Sequence, residues 1–392
     1  MGLARGLYTV SQAVLLVLLA RDVGPHGFGV IASFLAAHTV LFWLASMNTP
    51  TFVTREIALD QPDRAFASIR LNAWLLNGSI VLALLSSMLL LDQPLLLLAV
   101  AANAFAIGSE RMTENRLAIA YGQRRVGPPV MTLAVRSAIP LVLYLGMLAF
   151  GINPLVAFSC ARVVAGVVSQ IISIVLIRIP RSRAASQARE IIRAQLPLAM
   201  SQSMSAIRML DSVVVIALAG ATVSGIYSAV SRVVSPFNTI AISAAPVLVP
   251  RAVEATPARL RKWVDGLMLM GLGGSIATLA IYPFRENIVV LVFGSEFVGG
   301  GAVLVWVLLR VGAAVASPLM SNVLQARGFD RLAAINSTVT SILTLASVAV
   351  GSVVWGAPGA AAGFALVSLL GMLLLWGIGR MALRDKTEVR SA

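Results

Sequence analysis

The sequence predicts an all-α membrane protein, with about twelve transmembrane helices in two parallel-repeat lobes of six around a central cavity. Three observations predict it. Apolar runs long enough to span a bilayer recur along the whole chain, basic residues fall almost entirely on alternate connections, and short motifs recur at offsets near 200 residues.

The 392 residues are 58% hydrophobic and only 12% charged, with a mean hydropathy of +0.90. That is too much apolar surface for one aqueous core, so the solvent is lipid. Splitting the chain at charged and Pro/Gly-rich clusters gives twelve spans, at approximately 3–20, 30–52, 71–91, 95–117, 127–149, 155–177, 196–219, 226–249, 264–283, 302–324, 335–355 and 358–380. Each is long enough, or nearly so, to cross roughly 30 Å of hydrocarbon as a helix. The first run follows Arg5 in the manner of a secretory leader, but no small-x-small cleavage site follows it, and it is expected to be a retained membrane helix.

A net charge of +14 does not read as nucleic-acid binding, because the arginines punctuate apolar runs instead of clustering on one aqueous face. Cys160 is the single cysteine, which excludes an internal disulfide framework. His26 and His38 stand apart from each other and from any acidic or thiol cluster, so no metal centre or cofactor is expected. Assigning alternate connections to opposite sides puts 23 of the 30 Lys and Arg on one side and only Arg21 and Arg285 on the other. The richer side is then cytoplasmic, with both termini expected there and a bacterial cytoplasmic membrane as the location. On this orientation "RDVGPHGFG" (21–29) is an external hairpin, with Gly and Pro supplying a tight turn and Phe28 near the interface.

The longest inner connection, "RIPRSRAASQAREIIRAQ" (178–195), is read as a linker between an N-terminal lobe, 1–177, and a C-terminal lobe, 196–392. Part of it is expected to lie as an amphipathic helix on the anionic inner leaflet. The halves resemble each other. "TPTFVTREIALDQPDR" (49–64) and "APVLVPRAVEATPAR" (245–259) share Pro50/Pro246, Val53/Val249 and Arg55/Arg251 at an offset of 196, then Pro62/Pro257 and Arg64/Arg259 at 195. "LAIAYGQRRVG" (117–127) and "VLQARGFDRLA" (323–333) share Ala120/Ala326 and Gly122/Gly328 at 206, and Gly225 falls near the position of Gly27. An even number of spans per half gives both halves the same direction, so the repeat is parallel, the architecture of a site opened alternately to each side.

Five arginines remain inside the predicted spans: Arg136, Arg162, Arg208, Arg232 and Arg310. Each costs about 2.5–3.5 kcal/mol at a helix centre. Asp211, three residues after Arg208 on the same helical face, stands out as the one clearly intramembrane carboxylate. The resulting surplus of positive charge predicts a hydrated cationic cavity with an anionic guest and these five arginines as substrate-binding residues. The planar guanidinium fork suits phosphate oxygens. A structural alternative is that single arginines snorkel outward or cap carbonyls of neighbouring helices. Asp211 is a candidate for proton or ion coupling, with a plain counter-ion to Arg208 as its alternative. Asn103, Gln170, Gln202 and Asn238 offer hydrogen bonds to sugar hydroxyls or to helix packing.

"LLARDVGPHGFGVIASF" followed by "TREIA" resembles the opening of the polysaccharide and O-antigen flippases, in the multidrug/oligosaccharidyl-lipid/polysaccharide exporter superfamily. The shared residues are Leu19-Ala20-Arg21, Gly24-Pro25, Phe28-Gly29 and Arg55-Glu56-Ile57-Ala58. "VFGSEFVGGGAVL" (292–304) and "LQARGFDR" (324–331) are also similar to that family around its tenth helix. The resemblance implies a twelve- to fourteen-helix bundle of two lobes that moves a polyprenyl-pyrophosphate-linked oligosaccharide from the inner to the outer leaflet, with arginines lining the lumen. It implies that glycan and membrane lipids as partners, and makes a polysaccharide polymerase or export protein a candidate partner. A drug or cation exporter of the same superfamily predicts an acidic lumen instead. A membrane-bound polymerase or glycosyltransferase predicts a sizeable extramembrane loop or a carboxylate pair. The outer loop from Tyr282 to Gly300 holds Glu286 and Glu296 but is short and half apolar, and no Walker-type nucleotide loop is present, so a non-enzymatic transporter is expected.

Overall fold

The computed structural model describes residues 2–179, 188–234, 236–237, 248, 251–252, 254–325 and 329–388, and no strand occurs among them. Asn238, residues 180–187 of the expected linker and the repeat members Pro246, Val249, Ala326 and Gly328 lie outside the described residues, as does the side chain of Gln202. The helices are α1 (Gly2–Ser46), α2 (Thr49–Ala58), α3 (Pro62–Leu90), α4 (Pro94–Gly122), α5 (Gly127–Ala149), α6 (Pro154–Leu176) and α7 (Ala188–Ile207). After a 3-10 turn at Arg208–Leu210 come α8 (Asp211–Ala219), α9 (Ala221–Ser231), α10 (Pro257–Ala277), α11 (Arg285–Phe293), α12 (Gly300–Leu309), α13 (Val311–Gln325) and α14 (Asp330–Glu388).

Proline sets many of the starts. It occupies the first turn of α2, α3, α4, α5, α6 and α10, where its missing N–H would have had no partner in the helix. Asn153 adds a side-chain cap to α6, accepting from the Leu155 amide at 2.9 Å.

Among the described residues, eight helical stretches are long and apolar enough to cross a membrane. Two of these are double. α1 breaks at Gly24, where φ is 70° and ψ is 174°, and each arm is about 33 Å long at 1.5 Å per residue, one membrane thickness. The arms fold back on each other, because Tyr8 Oη lies 3.3 Å from Glu110 while the Trp43 ring lies 4.4 Å from the guanidinium of Arg111. α14 breaks in the same way at Gly356, with φ 62° and ψ −140°. Its arms run antiparallel in close contact, since a methyl on Gly351 would meet the Gly359 carbonyl, one on Gly363 the Ser347 carbonyl, and one on Gly371 the Thr340 side chain. Counting these arms separately gives ten spans. The remaining two expected spans fall on α7–α8 and on α9 with residues beyond it that are not described. The multi-pass all-α prediction holds.

Gly356 sits where an L side chain is strained, so Gly356→Ala is expected to cost about 1–3 kcal/mol. Gly377, with open space around it, is the control: Gly377→Ala should gain roughly 0.5–1 kcal/mol from helix propensity. Unfolding curves in mixed micelles test this contrast, and equal shifts would exclude backbone strain as the cause.

The chain divides into two compact units, one comprising Met1–Val23 and Val30–Val213, the other Gly24–Gly29 and Val214–Ala392. The division falls after α7, downstream of the 178–195 linker expected from the sequence. α7 is held to the first unit by Gln195, 1% exposed, which donates to Ser68 on α3 and, at 3.4 Å, to Thr49 on α2. Ser33 adds a bond of 3.1 Å to the Ser212 carbonyl. In the first unit Phe42, Leu76, Ala83, Ala104 and Ile107 form one apolar cluster and Val53, Ala65, Ile69 and Leu117–Ala120 another. In the second, Leu260, Val264 and Met268 of α10 pack with Ala316, Met320 and Leu324 of α13 and with Met372 and Leu375 of α14.

The repeat is visible in backbone geometry. Gly24 and Gly220, 196 residues apart, share nearly the same dihedrals, 70°/174° and 88°/171°. Within the second unit, a methyl on Gly29 would strike the Ala221 carbonyl and one on Gly225 the Pro25 carbonyl. Gly29/Gly225 and Pro25/Ala221 are each separated by 196, so this crossing is its own image under the repeat, as in an isologous two-fold contact. Gly225 is therefore the counterpart of Gly29, two positions from the sequence alignment with Gly27.

Candidate functional site

The first unit carries a charged network inside its spans. It is built from side chains of α1, α4, α5 and α6. Arg136 on α5, with its side chain 5% exposed, lies 2.6 Å from Glu114 and 3.0 Å from Glu110, both on α4. Arg162 on α6, 6% exposed, reaches the other oxygen of Glu110 at 3.2 Å. Neutral groups fill most of the remaining positions. Arg162 Nε donates to Asn103 at 3.1 Å and its Nη1 to Gln12 at 2.9 Å, while Gln12 Nε2 donates to the Arg136 carbonyl at 3.3 Å. Tyr8 donates to Glu110 at 3.3 Å and its ring lies 4.9 Å from the Arg136 guanidinium. Arg136 Nε is buried without a hydrogen-bond partner.

This arrangement corrects the charge count made from the sequence. Asp211 is not the only carboxylate within the spans, because Glu110 and Glu114 lie in α4 and together match Arg136 and Arg162. Arg111, assigned from the sequence to an inner connection, belongs to α4 as well. Its guanidinium stacks on Trp43 at 4.4 Å, within cation–π range.

The five predicted arginines are divided between the units, with Arg136, Arg162 and Arg208 in the first and Arg232 and Arg310 in the second. Arg136 and Arg162 are brought together through Glu110. Arg208 opens the 3-10 turn between α7 and α8, and Asp211 begins α8, accepting from the Ser212 amide at 2.8 Å. Arg232 opens the 3-10 turn after α9. Arg310 ends α12, with its guanidinium carbon 3.8 Å from the centre of the Phe364 ring and its Nε without a hydrogen-bond partner. Asn103 binds Arg162, and Gln170 contacts the Met112 sulfur at 3.8 Å, a packing role.

Sequence reasoning missed Glu110, Glu114, Tyr8 and Gln12. The carboxylates carried a signal: they sit four residues apart, on one helical face, inside the run expected at 95–117. No metal-binding group of three His, Cys, Asp or Glu occurs among the described residues. His38 is buried, edge-on to Phe34 with ring centres 5.8 Å apart.

The opening motifs have structural work at the two ends of the first unit. Asp22 accepts from Tyr144 at 2.6 Å. Glu56, 1% exposed, is paired with Arg55 at 2.8 Å and Arg64 at 3.0 Å, and both guanidiniums lie over Phe52. A fully buried carboxylate needs such pairing, which accounts for the Arg-Glu at the centre of "TREIA".

The model of the polysaccharide biosynthesis protein family matches residues 3–256. The chain belongs to that family. Among solved structures, the fold is similar to an inward-facing multidrug resistance MATE family transporter of the MOP superfamily, at 15% identity and a TM-score of 0.70, covering 97% of this chain and 95% of that one. It is similar also to the lipid II flippase MurJ in an inward closed conformation, at 15% identity and a TM-score of 0.73, covering 95% of this chain and 86% of that one. A third likeness is to the Vibrio cholerae MATE transporter VcmN in the bent form, at 14% identity and a TM-score of 0.56, covering 98% of this chain and 97% of that one. No curated protein matches the sequence. This member of the family thus has a fold similar to those three structures, and the network in its first unit holds two arginines within its spans.

Proposed function

We propose that this protein is a flippase that moves a polyprenyl-pyrophosphate-linked oligosaccharide from the inner to the outer leaflet of a bacterial cytoplasmic membrane by alternating access, with both termini cytoplasmic. Membership of the polysaccharide biosynthesis family supports the class of cargo. The observation that carries the reading is the state of the carboxylates. Glu110 is shared by Arg136 and Arg162, and Glu114 is paired with Arg136, so the two carboxylates are balanced by two guanidiniums and leave no surplus of negative charge for an organic cation. That favours an anionic cargo over the cationic cargo of an exporter.

In this reading Arg208, Arg232 and Arg310 contact the anionic head group directly, and Arg136 and Arg162 act from within their carboxylate network. Asp211 remains the candidate for proton or ion coupling, placed where α8 begins beside the turn that carries Arg208. Drive comes from an ion gradient, the membrane potential or consumption of product.

The test is translocation in sealed vesicles of a fluorescent lipid-pyrophosphate oligosaccharide and, separately, of a cationic dye. The lipid is expected to cross, with Arg310→Ala slowing it by roughly tenfold or more, the value of one charge-assisted hydrogen bond. Dye transport without lipid transport would replace the flippase reading with the exporter one.

A further inference from the structure

His38 is a titratable group that the charged network of the first unit does not use. It lies on the second arm of α1, about 20 Å from the arm's start at Pro25, counting 1.5 Å per residue, within a core roughly 30 Å thick. The residue is 3% exposed. Neither Nδ1 nor Nε2 has a hydrogen-bond partner, and the ring stands edge-on to Phe34. A neutral imidazole always carries one N–H donor and one lone pair. Both are buried unused here, a standing penalty in this conformation.

The arm is anchored on both sides of His38. Ser33 donates to the Ser212 carbonyl at 3.1 Å, and Asn72 on α3 donates to the Ala45 carbonyl at 2.7 Å. Between these anchors Leu35, Leu41 and Phe42 pack with Leu76 and Ala83 of α3 and with Ala104 and Ile107 of α4. Those elements carry charged groups, but none acts on His38. Glu110 is shared by Arg136 and Arg162, and Glu114 is paired with Arg136. Arg70 on α3, Arg111 and Arg116 on α4 and Asp211 at the start of α8 exert no influence on the ring either. His26, the arm's other titratable group, is exposed at its start.

Protonation would add a charge with no counter-ion and no acceptor for its N–H groups, too costly for this packing to hold. An arrangement that lets water reach the ring relieves both penalties and binds the proton. Proton binding and the packing of the arm are therefore linked, because a ligand taken up by one conformation and excluded by another shifts the balance between them. The described conformation is favoured above the ordinary imidazole value, about pH 6.5, and loses ground as the pH falls below it. We propose that His38 is an acid switch, whose bare ring nitrogen takes up one proton and so releases the second arm of α1 from α3 and α4. The switch goes beyond the flippase reading and acts on the conformation whatever the cargo.

His26 and His38 are the only two histidines in the sequence, which makes the proton directly observable. Full-length protein with isotope-labelled histidine and a histidine-free affinity tag would be titrated by NMR in nanodiscs from about pH 8 to about pH 5, with His26→Asn assigning the signals. A second sample carrying Cys160→Ser, Leu44→Cys and Leu82→Cys, spin-labelled at the two exposed leucine positions, reports the distance between the arm and α3 by pulsed electron resonance. His38 is expected to gain an imidazolium signal as the pH falls. A second distance should grow with it, by up to roughly tenfold in population ratio per pH unit below about 6.5, the limit for one linked proton. His38→Phe, or His38→Gln should the phenylalanine variant fail to fold, is expected to keep the single high-pH distance throughout. A His38 that stays neutral down to about pH 5, or takes up its proton with the distance unchanged, overturns the proposal, as does a pH-dependent distance in those variants. No cargo is present in either measurement, so such a failure leaves the flippase reading standing.

Discussion

Replacing Arg136 with alanine is expected to lower the unfolding free energy by about 3–5 kcal/mol, the usual consequence of stranding a buried charge. Arg136 is 5% exposed and holds two carboxylates, Glu110 and Glu114, which are 15% and 27% exposed. Without it Glu114 loses its ion-pair partner, and Glu110 keeps only Arg162. The loss arises mainly from the carboxylates left behind, not from the absent contact, and this distinguishes the mechanism from simple packing. Arg136→Met combined with Glu114→Gln removes one charge of each sign and keeps Glu110 for Arg162. That pair should recover most of the stability, since an apolar or neutral replacement of a buried ion pair is often close to neutral. Unfolding by SDS titration in mixed micelles compares the two. A double variant as unstable as Arg136→Ala would show that the stranded charge is not the cause.

Gly29→Ala and Gly225→Ala should each destabilise, although alanine improves helix propensity by roughly 0.5–1 kcal/mol at an ordinary helical glycine. The sign reverses because each new methyl meets backbone, the Ala221 carbonyl in one case and the Pro25 carbonyl in the other. Backbone cannot rotate away as a side chain can, so the helices must separate, at about 1–3 kcal/mol for overpacking of this kind. The two positions are images of each other at one crossing. Once the first methyl has parted the helices, the second meets little new resistance, so the double variant should lose clearly less than the sum of the single losses, as coupled sites do. Thermal melting in detergent decides it. Strictly additive losses would mean the two contacts are independent and the pseudo-two-fold crossing has no mechanical unity.

Much of the fold was legible before any coordinates. The apolar runs, the proline starts and the glycine breaks are local signals: a run of that length has one solvent that suits it, and proline at a first turn has one geometry that suits it. The broken α1 at Gly24 was readable from "DVGPHG" for the same reason. The repeat was readable more faintly, because matching pairs such as Pro50/Pro246 are few, whereas the equal dihedrals of Gly24 and Gly220 make the 196-residue offset plain.

The charged site was legible only by halves. Arg136 and Arg162 stand out because arginine is rare in lipid, but "SERMTENR" in α4 mixes both signs near a helix end and reads equally well as an inner connection. Which of its residues turn inward depends on how α4 meets α1, α5 and α6, and some of those partners lie far away in sequence, Tyr8 being 102 residues from Glu110.

Lipid as the surrounding solvent, the helical content and the turn positions follow from residue order alone, because each depends on neighbours along the chain. The pairing of Glu110 and Glu114 with Arg136 and Arg162, the stacking of Arg111 on Trp43 and the reciprocal glycine crossing came from three-dimensional packing. Charge compensation and close backbone approach are relations between distant segments, and a linear pattern records the partners without recording which of them meet.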